Sequence, residues 1–275
     1  MRPNKLFLMW GVLLAVVALN AVVWADGETA KVWPKKPAFS VRLGSYFASS
    51  AGQIRVDGEN GEGTLIDIQN VLDIPKDATV FRAKADVRIA KWFGVEGEWY
   101  RVARSGSSTI DRDITVGDVV FPINETVSSN FTQNYLDLAL KFYLFHRERW
   151  DLGLWAGACL HFWKFSLNAD PSGLAVDKDP WAPVPAFGVC FNYYILPRLY
   201  LYGKAGYFKY SDSSAGIHFD STRFDISADY YFWKSLGVGV TYEYYDTSVE
   251  KSNSNYKGLL GAKTQGFQIY GVIGF

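Results

Sequence analysis

The feature that most constrains this chain is an alternation of period two that recurs along most of its length. In VFRAKADVRIA (80–90), Phe81, Ala83, Ala85, Val87 and Ile89 oppose Arg82, Lys84, Asp86 and Arg88. An amphipathic helix would place its apolar residues three and four apart, whereas residues two apart share one face of a strand. FSVRLGSYF (39–47), GVEGEWYRVAR (94–104), YLDLALKFYLF (135–145), WDLGLWAGACLHF (150–162) and VPAFGVCFNYY (184–194) repeat the pattern. LYLYGKAGYFKY (199–210), TRFDISADYYF (222–232), LGVGVTYEYY (236–245) and KTQGFQIYGVIGF (263–275) complete a set of ten predicted strands. Aromatic residues at 17% suit strands and stay close to the ends of these segments.

Connections between the strands alternate in length. KWFG (91–94), HRERW (146–150), LPR (196–198) and WKS (233–235) are short. Long links run over 49–79, 105–130, 168–182, 211–221 and 247–262. Short turns at one end, long loops at the other and an even strand number define a closed antiparallel transmembrane β-barrel, with eight or twelve strands as alternatives to ten. Segments of about ten residues match tilted strands crossing a bilayer. Only closure leaves no unpaired backbone in lipid.

The N-terminus gives the route. Arg2 and Lys5 precede LFLMWGVLLAVVAL, and Val23 and Ala25 occupy the small-residue positions before a cleavage site. This order predicts a signal peptide over 1–25, a periplasmic segment over 26–38 and an outer-membrane barrel over 39–275. Equal numbers of basic and acidic residues, 28 of each, argue against a nucleic-acid partner. No metal-ligand cluster, phosphate loop or nucleotide motif is present, so no cofactor is expected.

If the apolar set faces lipid, the interior is lined by Arg42, Arg82, Lys84, Asp86, Arg88, Glu96, Glu98, Asp137, Lys141, Lys204, Arg223, Asp225, Asp229 and Glu243, with Arg104 beyond them. Isolated buried charges are costly, so ion pairing is expected. A balanced set suits either a salt-bridged interior or a narrow pore. His161 is an inward structural residue, and His146 lies in a turn. Cys159 and Cys190 fall on adjacent strands, where the oxidising periplasm permits a disulfide without requiring one.

The ending GFQIYGVIGF places Phe267, Ile269, Gly271, Ile273 and Phe275 on one face. It resembles the C-terminal strand of Gram-negative outer-membrane β-barrel proteins, which typically ends in Phe or Trp. That resemblance implies a cell outer-membrane location, with Phe275 as an assembly signal read by the barrel-assembly machinery. Outer-membrane lipid and lipopolysaccharide are the expected surroundings, and a monomer the expected state. TLIDIQNVLDI (64–74) looks like a segment of the first long loop of uncharacterised barrels of this kind. The expected function is a narrow porin-like channel for small solutes or a structural envelope protein. A barrel binding partners through its long loops is the alternative. The omptin proteases, also ten-stranded barrels, carry an Asp pair and an Asp-His pair. Asp111 with Asp113 and His218 with Asp220 resemble these, although His precedes Asp here and strand parity turns His218 and Asp220 outward.

Overall fold

A computed structural model describes residues 37–59, 61–214, 216–252 and 257–275. The predicted signal peptide (1–25) and nearly all of the 26–38 segment lie outside the described residues. The described chain is all-β. Its strands are β1 (Phe39–Val56), β2 (Ile66–Asp67), β3 (Asp77–Ala90), β4 (Phe93–Thr109), β5 (Ile114–Val116), β6 (Val119–Phe121) and β7 (Thr126–His146). They continue as β8 (Trp150–Asp170), β9 (Ala175–Lys178), β10 (Trp181–Leu196), β11 (Leu199–Asp212), β12 (Ile217–Tyr231), β13 (Leu236–Lys251) and β14 (Gly258–Gly274).

The long strands form an antiparallel ring in the order β1-β3-β4-β7-β8-β10-β11-β12-β13-β14, and β14 returns to pair with β1. The remaining four strands are short pieces of the loops: β2 pairs with β1, β9 with β8, and β5 with β6. At the seam the register runs from Ser40↔Gly274 to Val56↔Gly258. Backbone bonds continue past it, with Phe39 N–H donating to the Phe275 carbonyl at 3.1 Å and Phe275 N–H to the Phe39 carbonyl at 2.8 Å. The last residue of the chain is thus held by the first strand.

Apart from register shifts beside three of the short turns, at Arg88/Ala90, Tyr143/Phe145 and Tyr194/Leu196, parity along each long strand is kept, but the chemistry on the two faces changes partway up. On β7 the outward positions run Phe142, Leu140, Leu138 and Leu136 near the short turns, then Asn134, Thr132, Asn130 and Ser128. The inward positions run oppositely, Lys141 and Asp137 first, then Phe131 and Val127. β14 repeats this: Ile273, Ile269 and Phe267 point out below Gln265 and Lys263, while Gln268 and Thr264 point in below Ala262 and Leu260. An apolar exterior over a charged interior is stable only in lipid, and the reverse is the ordinary arrangement in water. Each long strand therefore crosses a hydrocarbon layer and then rises into water. Among the described residues no helix is long and apolar enough to cross a membrane.

This explains why the strands exceed the expected length. The long strands run from 14 residues in β3 to 21 in β7 and β8. At about 3.4 Å per residue the longest is near 70 Å, about twice the thickness of the hydrocarbon core. Much of what the polar composition marks as long loop is strand wall.

The seam depends on close backbone approach at Gly44. A Cβ there would overlap the Ile269 carbonyl oxygen and the Tyr270 Cβ, whereas one at Gly271 would meet nothing within 4 Å. Gly44→Leu should abolish the heat-modifiable gel mobility that marks a closed barrel, and Gly271→Ala should preserve it.

Candidate functional site

The interior within the apolar belt is built in layers. Nearest the short turns, Arg42 Nε and Nη2 donate to Asp229 Oδ2 at 3.1 and 2.8 Å, while Tyr270 Oη donates to Asp229 Oδ1 at 2.7 Å. The Arg42 guanidinium also lies 4.2 Å from the Tyr202 ring centroid. Arg88 reaches Asp151 at 2.6 Å, and Asn192 Nδ2 donates to the same carboxylate at 3.2 Å.

Above these lies a network that spans the axis. Lys204 of β11 contacts Glu96 of β4 at 2.6 Å and Asp137 of β7 at 2.9 Å. Lys141 contacts Asp86 and, at 2.6 Å, Glu96. Lys84 sits 3.3 Å from Glu96 and 3.5 Å from Asp225. Arg82 pairs with Glu98 at 2.8 Å and with Glu243, and Arg223 with Asp137 at 2.6 Å. β4 and β11 are four strands apart around the ten-stranded ring, so the Lys204–Glu96 bond reaches through the lumen instead of joining neighbours on its wall. Arg82, Lys84, Glu96, Glu98, Asp137, Lys204, Arg223, Asp225 and Glu243 are all buried from a water-sized probe. At this level the interior is filled by side chains. Asp86 and Arg88 are half-buried.

An aromatic layer follows. Tyr100 stacks on Tyr135 at 4.5 Å, Tyr46 meets Tyr100 edge-on at 5.3 Å, and Arg82 lies 4.8 Å from the Tyr46 ring. His161 stacks between Trp163 and Tyr245, with its Nε2 2.8 Å from the Tyr245 hydroxyl. Arg104, next up the wall, donates to the carbonyls of Ser50 and Pro75 at 3.1 and 3.0 Å, tying the link that follows β2 to the ring.

The loop end is closed by an apolar cap. Ile66, Ile68, Leu72 and Ile74 from the first loop pack with Ile114, Val116 and Phe121 from the β5–β6 hairpin. They rest on Ile54, Phe131, Trp163, Phe165 and Leu260 of the walls. The two loops are bound together, as Thr64 N–H donates to the Thr115 carbonyl at 2.8 Å and Gly117 N–H to the Val56 carbonyl at 2.9 Å. A groove of about 500 Å³ lies on the outer wall beside β9, against Asn130, Thr132 and Lys164.

The protease-like residues do not assemble. Asp111 and Asp113 are exposed, and Asp113 accepts the Ile123 N–H at 2.8 Å. His218 shares the outward face of β12 with Asp220, whose carboxylate meets the outward Tyr207 hydroxyl at 3.5 Å and Lys209 at 3.9 Å. Between them Phe219 packs inward on the cap. Among the described residues no hydrogen bond or ion pair joins the Asp111 and Asp113 pair to His218 or Asp220. Cys159 and Cys190 are free and buried. The register sets Cys159 opposite Val184 and Cys190 opposite Gly153, so the thiols stand well apart along the β8–β10 ladder.

Asp151 and Asn192 were not among the expected interior residues, though alternation with the outward Leu152 and Tyr193 marks both as inward. The tyrosine layer carries no charge, so charge patterning alone passes over it.

Removing one partner from a buried ionic network should leave an uncompensated charge. Arg82→Met should lower the unfolding free energy in detergent or vesicles by about 3–5 kcal/mol. Arg82→Met with Glu98→Leu and Glu243→Leu should recover most of that loss, as read by urea titration.

No protein-family profile and no curated protein matches the sequence. Among solved structures the fold is similar to the outer membrane protease OmpT from Escherichia coli, with a TM-score of 0.57 at 12% identity over 90% of this chain and 100% of that one. The translocator domain of autotransporter NalP from Neisseria meningitidis aligns at 0.45 and 13% over 94% and 95%. The outer membrane protein OprG from Pseudomonas aeruginosa aligns at 0.35 and 12% over 88% and 98%. At these identities the likeness concerns the fold and carries no activity with it. With its apolar belt and antiparallel ring, the chain has the fold of Gram-negative outer-membrane β-barrel proteins.

Proposed function

We propose that the chain is a ten-stranded outer-membrane barrel with a closed lumen, which serves the envelope as a structural element and presents its capped loop end at the cell surface. The observation that carries this reading is the ionic network across the axis, with Lys204 bridging Glu96 and Asp137 in a layer that water does not reach. The apolar cap is a second barrier above it. A pore that passes solutes needs a continuous polar path of at least water width, and both barriers oppose one. The C-terminal strand, with Phe275 bonded to β1, suits delivery by the barrel-assembly machinery.

A protease reading has no support from the outward His218 and Asp220. Two results are expected. In planar bilayers the purified protein should give no conductance steps above background at any voltage, and stable porin-like steps would favour the channel instead. In the presence of lipopolysaccharide it should leave basic peptides uncut, and cleavage lost on His218→Ala would restore the protease.

A further inference from the structure

The four short turns share a chemistry that neither the lumen nor the cap uses. Each carries an exposed cation: Lys91 between β3 and β4, Arg149 between β7 and β8, Arg198 between β10 and β11, and Lys234 between β12 and β13. In three of them an exposed Trp is the adjacent residue, Trp92, Trp150 and Trp233, at 57%, 39% and 71% exposure. At the second turn Arg149 also lies 5.7 Å from the ring of Tyr193, which is paired across the ladder with Trp150. Among the described residues Lys91, Arg198 and Lys234 form no ion pair.

Solvated turns commonly carry scattered lysines, so the distribution decides the matter. The whole chain has no net charge, yet Glu148 is the one exposed acid on these turns. The opposite end mixes the signs, exposing Glu59, Glu62, Asp111, Asp113 and Asp118 together with Lys76, Arg112, Lys178 and Lys257. The turn end is thus predominantly basic, whereas the loop end carries both signs. The basic rim stands at the edge of the apolar belt, where indole rings settle at the headgroup level, and a cation beside such a ring is held at the depth of the lipid phosphates. The turns recur around the ring and are separated by pairs of strands, so the cations face several lipids instead of converging on one pocket.

We infer that the turn end is a collar that gathers anionic glycerophospholipid headgroups from the adjoining leaflet. The inference rests on the membrane seating proposed above. Each cation favours a phosphodiester anion over a zwitterionic headgroup by electrostatic attraction near the surface, on the order of a fivefold local enrichment.

The test reconstitutes the full barrel in phosphatidylcholine vesicles doped with a small amount of brominated-chain lipid, either phosphatidylglycerol or phosphatidylcholine, and reads quenching of tryptophan fluorescence. The brominated phosphatidylglycerol should quench more strongly, with the difference shrinking at high salt. The variant Lys91→Gln, Arg149→Gln, Arg198→Gln, Lys234→Gln should lose the difference while keeping barrel gel mobility. The charge-keeping variant Lys91→Arg, Arg149→Lys, Arg198→Lys, Lys234→Arg should retain it. Equal quenching by the two lipids in the wild type, or an undiminished preference in the glutamine variant, overturns the collar. Absence of quenching by both lipids contradicts the membrane seating itself.

Discussion

Everything in this fold follows from the need to pair every backbone N–H and C=O where no water can reach. In hydrocarbon each unpaired group is expensive, so a sheet cannot end. The β1–β14 ladder, closed to the last residue at Phe275, removes the edge. Once the ring closes, parity has only two outcomes, out to lipid or in to the lumen, and each strand's side chains are sorted by it.

That sorting makes the charged interior intelligible. Residues such as Lys204 and Glu96 cannot face the belt exterior, and in a ring of this size they meet across the axis. Buried ion pairs contribute little net stability against a well-packed apolar alternative. Their consequence here is geometric: breaking one leaves a charge with nowhere to go, so the network resists sliding and keeps the lumen filled. Above the belt the same parity serves the opposite solvent. Phe131 and Leu260 point inward to form an ordinary apolar core, and the loops that complete it, with Ile66, Ile68 and Phe121, seal the end of the ring.

Much of the ring was legible because period-two alternation survives in a single sequence. Arg82 between Phe81 and Ala83, or Asp137 between Leu136 and Leu138, can lie on only one side of a strand whose other side is apolar. Strand ends were harder. Past Leu136 the alternation continues with its sign reversed, outward Asn134, Thr132 and Asn130 over inward Phe131, so composition reads as loop where the ladder continues to Thr126. The short strands β2, β5, β6 and β9 have too few residues to show a period at all. Register was also hidden. Cys159 and Cys190 sit on neighbouring strands, but only the register of the β8–β10 ladder reveals that they are not opposite. Partners on strands that are not neighbours, Arg42 with Asp229 or Lys204 with Glu96, are far apart in the chain and follow from ring size, which no local pattern encodes.

The two cysteines offer the most direct test of a filled lumen, since both are free and point inward, Cys159 beside the aromatic layer and Cys190 nearer the turns. The protein folded in vesicles would be treated with a small water-soluble maleimide, then again after unfolding without reductant. The account predicts no modification of either thiol in the folded barrel and modification of both after unfolding. Rapid labelling of Cys159 or Cys190 in the folded protein would mean that water fills the lumen, and would contradict the closed barrel.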